Sequence, residues 1–389
     1  MTRTGLALAL AGGGTGGHLV PGLHLLRALR SPPAGRAPAP LASVLWFVVG
    51  RPVEERVLRG VEEILGRVRF ERVVLDLEPP QGGAPSRARL LRRFLPATLS
   101  AARALRRARS DVLLGLGGHT SGPPVLAARL LGIPVVLLEI NAARGRATRW
   151  LAPLAARVCH AWPATVPPGG SARHVHLGPP LAPELSGPPT DEAAGARARA
   201  ALGFAAAQPL LLVLGGSQGA RPLNRFCAEV APILVGGGVQ VLHQVGPGRA
   251  AEAAAPLPGY RALEYVDDMP AALSAATAVL CRGGASTLAE VAVRGRPAVV
   301  VPYPHHADRH QERNARSLGA GAIVVGEERL DAALAAELVL LCGEAGAERR
   351  AAMARALAGA VPRDAAERLG DELLRAAARR PLGEMRESS

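Results

Sequence analysis

The sequence predicts an α/β fold made of two Rossmann-like domains, each with a parallel sheet flanked by helices. Three observations predict it: short apolar runs alternate with helical patterns, glycine-rich loops follow several of the runs, and the order of the first half recurs in the second. The length of 389 residues suits two domains with full cores. Because ligands of such sheets bind beyond the carboxyl ends of the strands, we expect a ligand cleft between the domains.

The first half contains five apolar runs that we interpret as strands. Helical patterns separate them, which is typical of βαβ units. The runs are residues 6–11, 44–50, 73–77, 112–115 and 134–140. A shorter strand is predicted at residues 174–176, where His174 and His176 alternate and share one exposed face.

The second half repeats this arrangement. Residues 210–214 form an apolar run, and a glycine loop follows at 215–219. Residues 278–302 repeat the order of strand, glycine pair, helix and strand found in residues 112–139. The repetition predicts that the two domains share one topology.

The domain boundary is predicted from a proline-rich junction at residues 181–191. We expect an N-terminal domain over residues 1–180 and a C-terminal domain over residues 181–363. Residues 364–389 are predicted to form an amphipathic helix, which packs back on the N-terminal domain, and a tail.

The loop at residues 12–18, Gly-Gly-Gly-Thr-Gly-Gly-His, is the stretch that points most directly to chemistry. Its glycines allow close approach of a ligand, and the N–H groups of the following helix favour a phosphate. His18 falls in the first helical turn, where the positive end of the helix disfavours imidazolium, so the ring is available as a base. The alternative is a tight strand-to-helix turn with a capping histidine.

Composition excludes several classes of protein. The net charge is +14 and all 46 basic residues are arginine, which favours a compositional bias over nucleic-acid binding. The four cysteines lie far apart, which indicates buried thiols in a reduced compartment rather than disulfides. No apolar run approaches the ~18 residues needed to span a membrane.

Two other nucleotide-binding motifs fit less well. A P-loop is excluded because its lysine is missing from the chain. Gly12, Gly14 and Gly17 match the GxGxxG pattern of dehydrogenases. However, Arg51 follows the second predicted strand where an NAD site needs an acidic residue. An oxidoreductase that uses NADP is therefore a distant alternative.

The second half carries groups suited to a nucleotide sugar. The loop at 215–219 offers amides and the Ser217 hydroxyl to a phosphate. Residues 282–290 place amides at a helix start and the Glu290 carboxylate inside that helix, where it can accept ribose hydroxyls. Residues 308–314 add amide and imidazole groups for sugar hydroxyls.

Taken together, these motifs resemble the MurG-type transferases of peptidoglycan synthesis, which have the GT-B fold. The resemblance covers most of the chain. It is carried by residues 12–18, 21–22, 117–118, 121–123, 132–136, 139, 141, 215–220, 267–269, 282–290 and 308–314.

The resemblance implies an inverting N-acetylglucosaminyltransferase that needs neither a cofactor nor a metal. It implies transfer from UDP-N-acetylglucosamine to the 4-hydroxyl of N-acetylmuramoyl-pentapeptide on undecaprenyl diphosphate, which converts lipid I to lipid II. The N-terminal domain then serves the acceptor and the membrane, and the C-terminal domain serves the UDP-sugar. The expected location is the cytoplasmic face of the bacterial plasma membrane, as a peripheral protein.

The resemblance also assigns roles to individual residues. His18 is our candidate general base, worth ~10²–10⁴ in rate. The residues expected to bind donor or acceptor are Thr15, Gly16, Gly17, Asn141, Ser217, Val266, Ala285, Ser286, Thr287, Leu288, Ala289, Glu290 and Gln311. Further contacts are expected from Gly14, His119, Gln218, Gly219, Arg282 and His310.

The chain departs from the family pattern at four places. The family usually has an aromatic residue in place of His119 and a glutamine in place of Ile140. Its pair of glutamines near the sugar is here His310-Gln311. The family's arginine at the domain junction is replaced by Ala182. Losing that charge-assisted hydrogen bond costs roughly 1.5–3 kcal/mol unless another arginine, such as Arg221 or Arg282, supplies it.

These departures leave two alternative functions open. One is another GT-B transferase that uses a nucleotide sugar on a different acceptor. The other is a catalytically weakened paralogue that binds UDP-sugar and acts as a scaffold for cell-wall synthesis.

The arginine-rich stretch at residues 86–109 predicts contact with an anionic membrane surface. Eight arginines alternate there with leucines and one phenylalanine, and we expect Pro96 to break the helix. Each arginine near anionic lipid contributes about 1 kcal/mol. A solvated helix face is the alternative, and nucleic acid is not expected because the stretch has no series of aromatic residues for stacking.

Overall fold

The computed structural model describes residues 5–32, 35–77, 87–187, 191–305 and 309–379, with the backbone alone at 87–91. The chain divides into two compact units. The first consists of Met1–Pro183 and Asp364–Ser389, and the second of Glu184–Arg363.

The first unit is built on a parallel sheet of seven described strands in the order β3-β2-β1-β4-β5-β6-β7. All six residues of the interior strand β1 are buried, as expected where helices cover both faces of a parallel sheet. The strands are β1 (Leu6–Ala11), β2 (Leu41–Val48), β3 (Arg69–Val74), β4 (Val112–Gly115), β5 (Val135–Glu139), β6 (Arg157–His160) and β7 (His174–His176).

Helices connect these strands by parallel crossovers. They are α1 (Gly16–Arg30), α2 (Pro52–Val57), α3 (Val61–Leu65), α4 (Arg87–Arg107), α5 (Gly122–Leu130) and α6 (Arg146–Leu151). In the register of β1 with β4, Ala11 lies opposite Gly115. The loops that follow these two strands therefore begin at the same edge of the sheet.

The second unit is built on six described parallel strands in the order β10-β9-β8-β11-β12-β13. They are β8 (Leu210–Leu214), β9 (Gln240–Gln244), β10 (Tyr260–Leu263), β11 (Ala278–Cys281), β12 (Ala298–Val300) and β13 (Ala322–Val324). The helices are α7 (Glu192–Ala201), α8 (Arg221–Gly236), α9 (Met269–Ala275), α10 (Ala285–Val293), α11 (His310–Arg316), α12 (Ala332–Cys342) and α13 (Ala347–Leu357).

The last helix, α14 (Ala365–Ala378), belongs to the first unit. Leu369 and Leu373 are fully buried in the same apolar cluster as Leu25 and Leu29 of α1. Gly370 allows the close approach, because a Cβ there would lie 2.9 Å from Leu29 Cδ2. The final helix thus packs on α1.

The structure corrects two sequence-based expectations. Strand β3 begins at Arg69 rather than at Val73. An edge strand can alternate charged and apolar residues, so residues 69–72 do not stand out as an apolar run in the sequence. Helix α4 runs through Pro96 without a break. Pro96 is exposed, so water can satisfy the carbonyl that loses its partner.

None of the described helices combines the length and the apolar character that crossing a bilayer requires.

Candidate active site

His18 lies in the first turn of α1, at the end of the first glycine loop. Its Nδ1 is 3.3 Å from the carbonyl oxygen of Gly13 and 3.2 Å from Oγ1 of Thr15. A carbonyl oxygen only accepts, so the contact with Gly13 favours the tautomer with the proton on Nδ1. The basic lone pair is then on Nε2, as a general base requires.

The His18 ring packs on the second glycine loop of the same unit. Gly117 and Gly118 have φ of +100° and +72°, and a Cβ on Gly118 would lie 3.0 Å from Cε1 of His18. Residues with a side chain rarely adopt this backbone conformation, and a side chain at either position would occupy the space of the His18 ring. Ser121 links the two strand ends, donating to the Ala11 carbonyl at 2.7 Å and accepting from the Gly117 amide at 3.1 Å.

A buried carboxylate, Glu54, organises the first glycine loop and was missed by the sequence analysis. Its side chain is fully buried and accepts four backbone amides, from Gly14 at 2.6 Å, Val49 at 3.1 Å, Gly50 at 2.6 Å and Arg51 at 2.9 Å. The Gly14 amide is therefore engaged by the protein. The available signal was an acidic residue at the third position of a helix that begins with proline.

Asn141 is positioned by the carboxylate that ends β5. Glu139 Oε1 accepts from the Asn141 amide at 3.1 Å and from its Nδ2 at 3.3 Å. The other oxygen accepts from the Gly145 amide at 2.7 Å, which closes the loop. Ile140, between Glu139 and Asn141 in the chain, is buried, and its carbonyl accepts from Trp162 Nε1 at 3.1 Å. His119 is half-buried directly after Gly118.

In the second unit, the loop at 215–219 follows β8 and leads into α8. Ser217 is half-buried and Gln218 is exposed. Gly219 packs so closely on the end of β9 that a Cβ would lie 1.9 Å from the Val245 carbonyl oxygen. Arg221 is the first residue of α8, and its side chain is 77% exposed.

Gln244 connects this loop to the expected uracil site. Its Nε2 donates to the Gly216 carbonyl at 2.9 Å, and its Oε1 accepts from the Val266 amide at 3.0 Å. A uracil that used the Val266 amide would have to take the place of that oxygen. Gln244 was not among the predicted site residues, because it lies inside a buried strand and no motif marks it.

Helix α10 presents its N-terminus and a buried carboxylate. Ala285 is the first helical residue, and Ser286 and Thr287 are half-buried in the first turn. Within the described residues, the buried Ser286 hydroxyl has no hydrogen-bond partner. Burial raises the pKa of Glu290 to about 7. Leu288 and Ala289, by contrast, are buried in the core, so only their backbone can serve a ligand.

Arg282 is held within the second unit. Its Nη1 donates to the Val301 carbonyl at 3.1 Å, and its Nη2 pairs with the Glu327 carboxylate. The guanidinium is almost fully buried. Arg221 pairs with Glu252 at 3.5 Å but is 77% exposed, so it is the more accessible of the two proposed substitutes for the arginine missing at Ala182.

Two backbone amides fix the side-chain oxygen of Gln311, and this orientation allows its amide nitrogen to donate to a ligand. Its Oε1 accepts from the amides of Gly283 at 3.1 Å and Tyr303 at 2.9 Å. Residue His310 begins α11 and is half-buried. Asp308, the first residue of the predicted sugar-binding segment, lies outside the described residues.

The histidines of β7 differ from expectation. His174 and His176 are half-buried rather than exposed, and His174 Nδ1 is 2.9 Å from Nε2 of the buried His160. β7 ends the sheet beside β6, with His174 opposite Val158 and His176 opposite His160. The described residues contain no group of three or more histidine, cysteine or acidic side chains placed to hold a metal. All four cysteines are buried, as predicted.

Comparison with known proteins identifies two consecutive family models in the chain. Residues 8–160 match the glycosyltransferase family 28 N-terminal domain, and residues 210–369 match the C-terminal domain.

Curated relatives match over nearly the whole length. The chain is 38% identical to the UDP-N-acetylglucosamine–N-acetylmuramyl-(pentapeptide) pyrophosphoryl-undecaprenol N-acetylglucosamine transferase of Frankia casuarinae, over 91% of each chain. It is 37% identical to the enzyme of that name from Aeromonas hydrophila, over 97% of this chain and 98% of the relative.

Solved structures share the fold. The crystal structure of Acinetobacter baumannii MurG is 26% identical, covers 95% of this chain and 99% of its own, and has a TM-score of 0.67. The calicheamicin glycosyltransferase CalG4 is 17% identical with a TM-score of 0.63 over 97% and 99% of the two chains, which is a likeness of fold alone.

Proposed function

Because the chain belongs to the family of UDP-N-acetylglucosamine–N-acetylmuramyl-(pentapeptide) pyrophosphoryl-undecaprenol N-acetylglucosamine transferases, we propose that it performs this transfer. The donor is UDP-N-acetylglucosamine. The acceptor is the 4-hydroxyl of N-acetylmuramoyl-pentapeptide on undecaprenyl diphosphate, so lipid I becomes lipid II.

The single observation that carries the catalytic part of the proposal is the placement of His18. Its Nδ1 faces the Gly13 carbonyl, and its ring is packed on Gly118, so Nε2 is the nitrogen that takes a proton. In the proposed step, Nε2 accepts the proton of the acceptor hydroxyl while that oxygen attacks the anomeric carbon. The bond from this carbon to the phosphate oxygen breaks, UDP leaves with the electron pair, and the configuration inverts.

The second unit supplies the groups that would bind the donor. Glu290 accepts the ribose hydroxyls, and Val266 contacts uracil through its backbone. The Ser286 hydroxyl, Ser217 and the first amides of α10 bind the diphosphate, because a helix N-terminus favours negative charge. Arg221 adds a positive charge for the departing UDP. Gln311 donates from its amide nitrogen to a sugar hydroxyl.

The first unit would bind the lipid-linked acceptor. Thr15, Gly16 and Gly17 directly precede His18 at the start of α1, and Thr15 and Gly17 are exposed. Asn141 is held by Glu139 with its amide group at the carboxyl edge of the same sheet. These groups suit the diphosphate and the sugar hydroxyls of the acceptor.

Helix α4 supports peripheral attachment to the cytoplasmic face of the plasma membrane. Three of its apolar side chains are exposed: Phe94 by 36%, Leu95 by 66% and Leu99 by 50%. Arg92 and Arg93 are also exposed. Apolar and cationic side chains on one exposed helix favour binding at an anionic lipid interface.

The test is a transfer assay with purified protein, radiolabelled UDP-N-acetylglucosamine and a lipid I analogue. We expect label in a lipid II product. Transfer only to other acceptors would support a different GT-B transferase, and binding of UDP-sugar without any transfer would support a scaffold. Either result would overturn the proposal.

A further inference from the structure

The first unit contains a cavity of about 360 Å³ between α6 and the start of β7. None of the residues in its wall belongs to the proposed acceptor or donor sets. Three arginines and one histidine contribute to the wall, and no carboxylate does. The lining residues are Arg144, Thr148, Arg149, Ala152, Pro153, Arg173 and His174.

In the part of the chain that the structure describes, no ion pair joins Arg144, Arg149 or Arg173 to a carboxylate. All three arginines are exposed to solvent; like charges that line one cavity still repel one another, and a bound anion relieves that repulsion. The positive potential is also felt by His174, since burial and the charges of Arg144 and Arg173 lower its pKa.

One of the arginines is held in place through its side chain, and a second lies in a loop whose backbone is fixed. The Nη1 of Arg173 donates to the carbonyls of Ala152 at 3.1 Å and Pro153 at 3.3 Å, which fixes its guanidinium at the wall. Arg144 lies in the loop that Glu139 closes through the Gly145 amide at 2.7 Å. Groups that are already fixed lose less entropy when a ligand binds.

A chain of hydrogen bonds sets the tautomer of His174. Thr165 Oγ1 donates to the Trp162 carbonyl at 2.7 Å, so it accepts from His160 Nδ1–H at 2.9 Å. His160 Nε2 then accepts from His174 Nδ1–H at 2.9 Å. The Nε2 of His174 can gain a proton and donate to an anion without breaking this chain.

We propose that this cavity binds a phosphate group of a diphosphate or phosphate ester through Arg144, Arg149, Arg173 and His174. Forked guanidinium groups match phosphate oxygens in pairs. Three positive charges match a ligand with several negative charges, such as a diphosphate, better than they match a ligand with a single carboxylate. The phosphate comes from a soluble compound or from a phospholipid headgroup, and the test separates these sources.

The first arm measures pyrophosphate binding to the full chain by calorimetry, with UDP saturating so that the donor site is filled. The variant is the double substitution Arg144→Gln and Arg173→Gln. Its matched control is Arg146→Gln, which removes an exposed arginine of α6 that does not line the cavity. We expect pyrophosphate affinity to fall by at least about tenfold in the double variant and to stay unchanged in the control.

The second arm measures sedimentation with phosphatidylcholine vesicles that do or do not contain phosphatidylglycerol. A loss of binding to the anionic vesicles in the double variant, relative to Arg146→Gln, assigns the site to a lipid phosphate. A loss in the pyrophosphate arm alone assigns it to a soluble compound. If the double variant and the control behave alike in both arms, the proposal is wrong. Unchanged UDP binding by each variant shows that the chain is folded.

Discussion

The Glu54 carboxylate accepts a hydrogen bond of 2.6 Å from the backbone amide of Gly14, forty positions earlier in the chain. The same carboxylate also caps the start of α2 through the amides of Gly50 and Arg51. One buried anion therefore joins the first glycine loop to the end of the neighbouring strand. This contact fixes the turn from which His18 projects.

Replacing Glu54 by glutamine should disorder that turn. Glutamine replaces one of the two acceptor oxygens by an NH2 group, which only donates. The two backbone amides that bonded to that oxygen lose their partner, and each unpaired buried amide costs about 1–3 kcal/mol. We expect a lower melting temperature together with a reduced kcat. The control is Glu55→Gln, because the Glu55 side chain is 73% exposed. Equal stability of the two variants would show that Glu54 does not organise the loop.

Replacing His18 by glutamine should reduce kcat by at least about tenfold, because a general base contributes roughly 10²–10⁴. The residues proposed to bind the donor belong to the other unit, so the affinity for UDP should stay unchanged. The wild-type pH profile of kcat should contain an acidic limb that the variant lacks. An unaltered profile would remove His18 from proton transfer.

The pH dependence of UDP binding should report the ionisation of Glu290. Burial raises its pKa from 4.5 to about 7, so the native state binds more protons than the unfolded state between these values. This group therefore makes the protein less stable as the pH rises through that window. In the proposed donor site the ribose hydroxyls donate to the Glu290 carboxylate, so UDP binding should weaken below pH ~7.

Calorimetry in buffers of different ionisation enthalpy provides the measurement. Near neutral pH, part of the wild-type protein has Glu290 protonated, and this proton should be released when UDP binds. The Glu290→Gln variant should release fewer protons, since any change in the protonation of the UDP phosphate is the same in both proteins. The variant should also bind UDP more weakly. Identical proton release in the two proteins would separate Glu290 from the ribose site.

Removing the Arg221 guanidinium should weaken UDP binding, because no arginine is present at Ala182. Arg221→Ala should raise the Kd for UDP by about tenfold and leave the affinity for uridine unchanged, since the lost contact is with phosphate. Arg225→Ala is the matched control, because Arg225 is an exposed arginine of the same helix. Equal Kd values for the two variants would contradict the assignment.

Membrane attachment through α4 should depend on its exposed leucines. The double substitution Leu95→Gln and Leu99→Gln should reduce sedimentation with phosphatidylglycerol vesicles, because it removes apolar surface that enters the interface. Leu340→Gln serves as the control, since Leu340 is 61% exposed on α12 of the second unit. Undiminished sedimentation of the double variant would leave α4 as an ordinary solvated helix.

The sequence by itself determined the α/β class, the glycine loops and the order of strands and helices. These features depend on local periodicity and on backbone freedom, as in β1, β4 and β8, whose predicted bounds match the structure. The cap of α9 is equally local: Asp268 accepts from the Ala271 amide at 2.9 Å, three residues further along the chain.

Only the tertiary structure decided which distant groups meet. The packing of His18 on Gly117 and Gly118, the capture of Gly14 by Glu54 and the link from Gln244 to Val266 all join residues from separate helices, strands and loops. The cavity lined by Arg144, Arg149 and Arg173 likewise combines separate segments. Sheet order and register create these contacts, and neither is contained in the periodicity of any single segment.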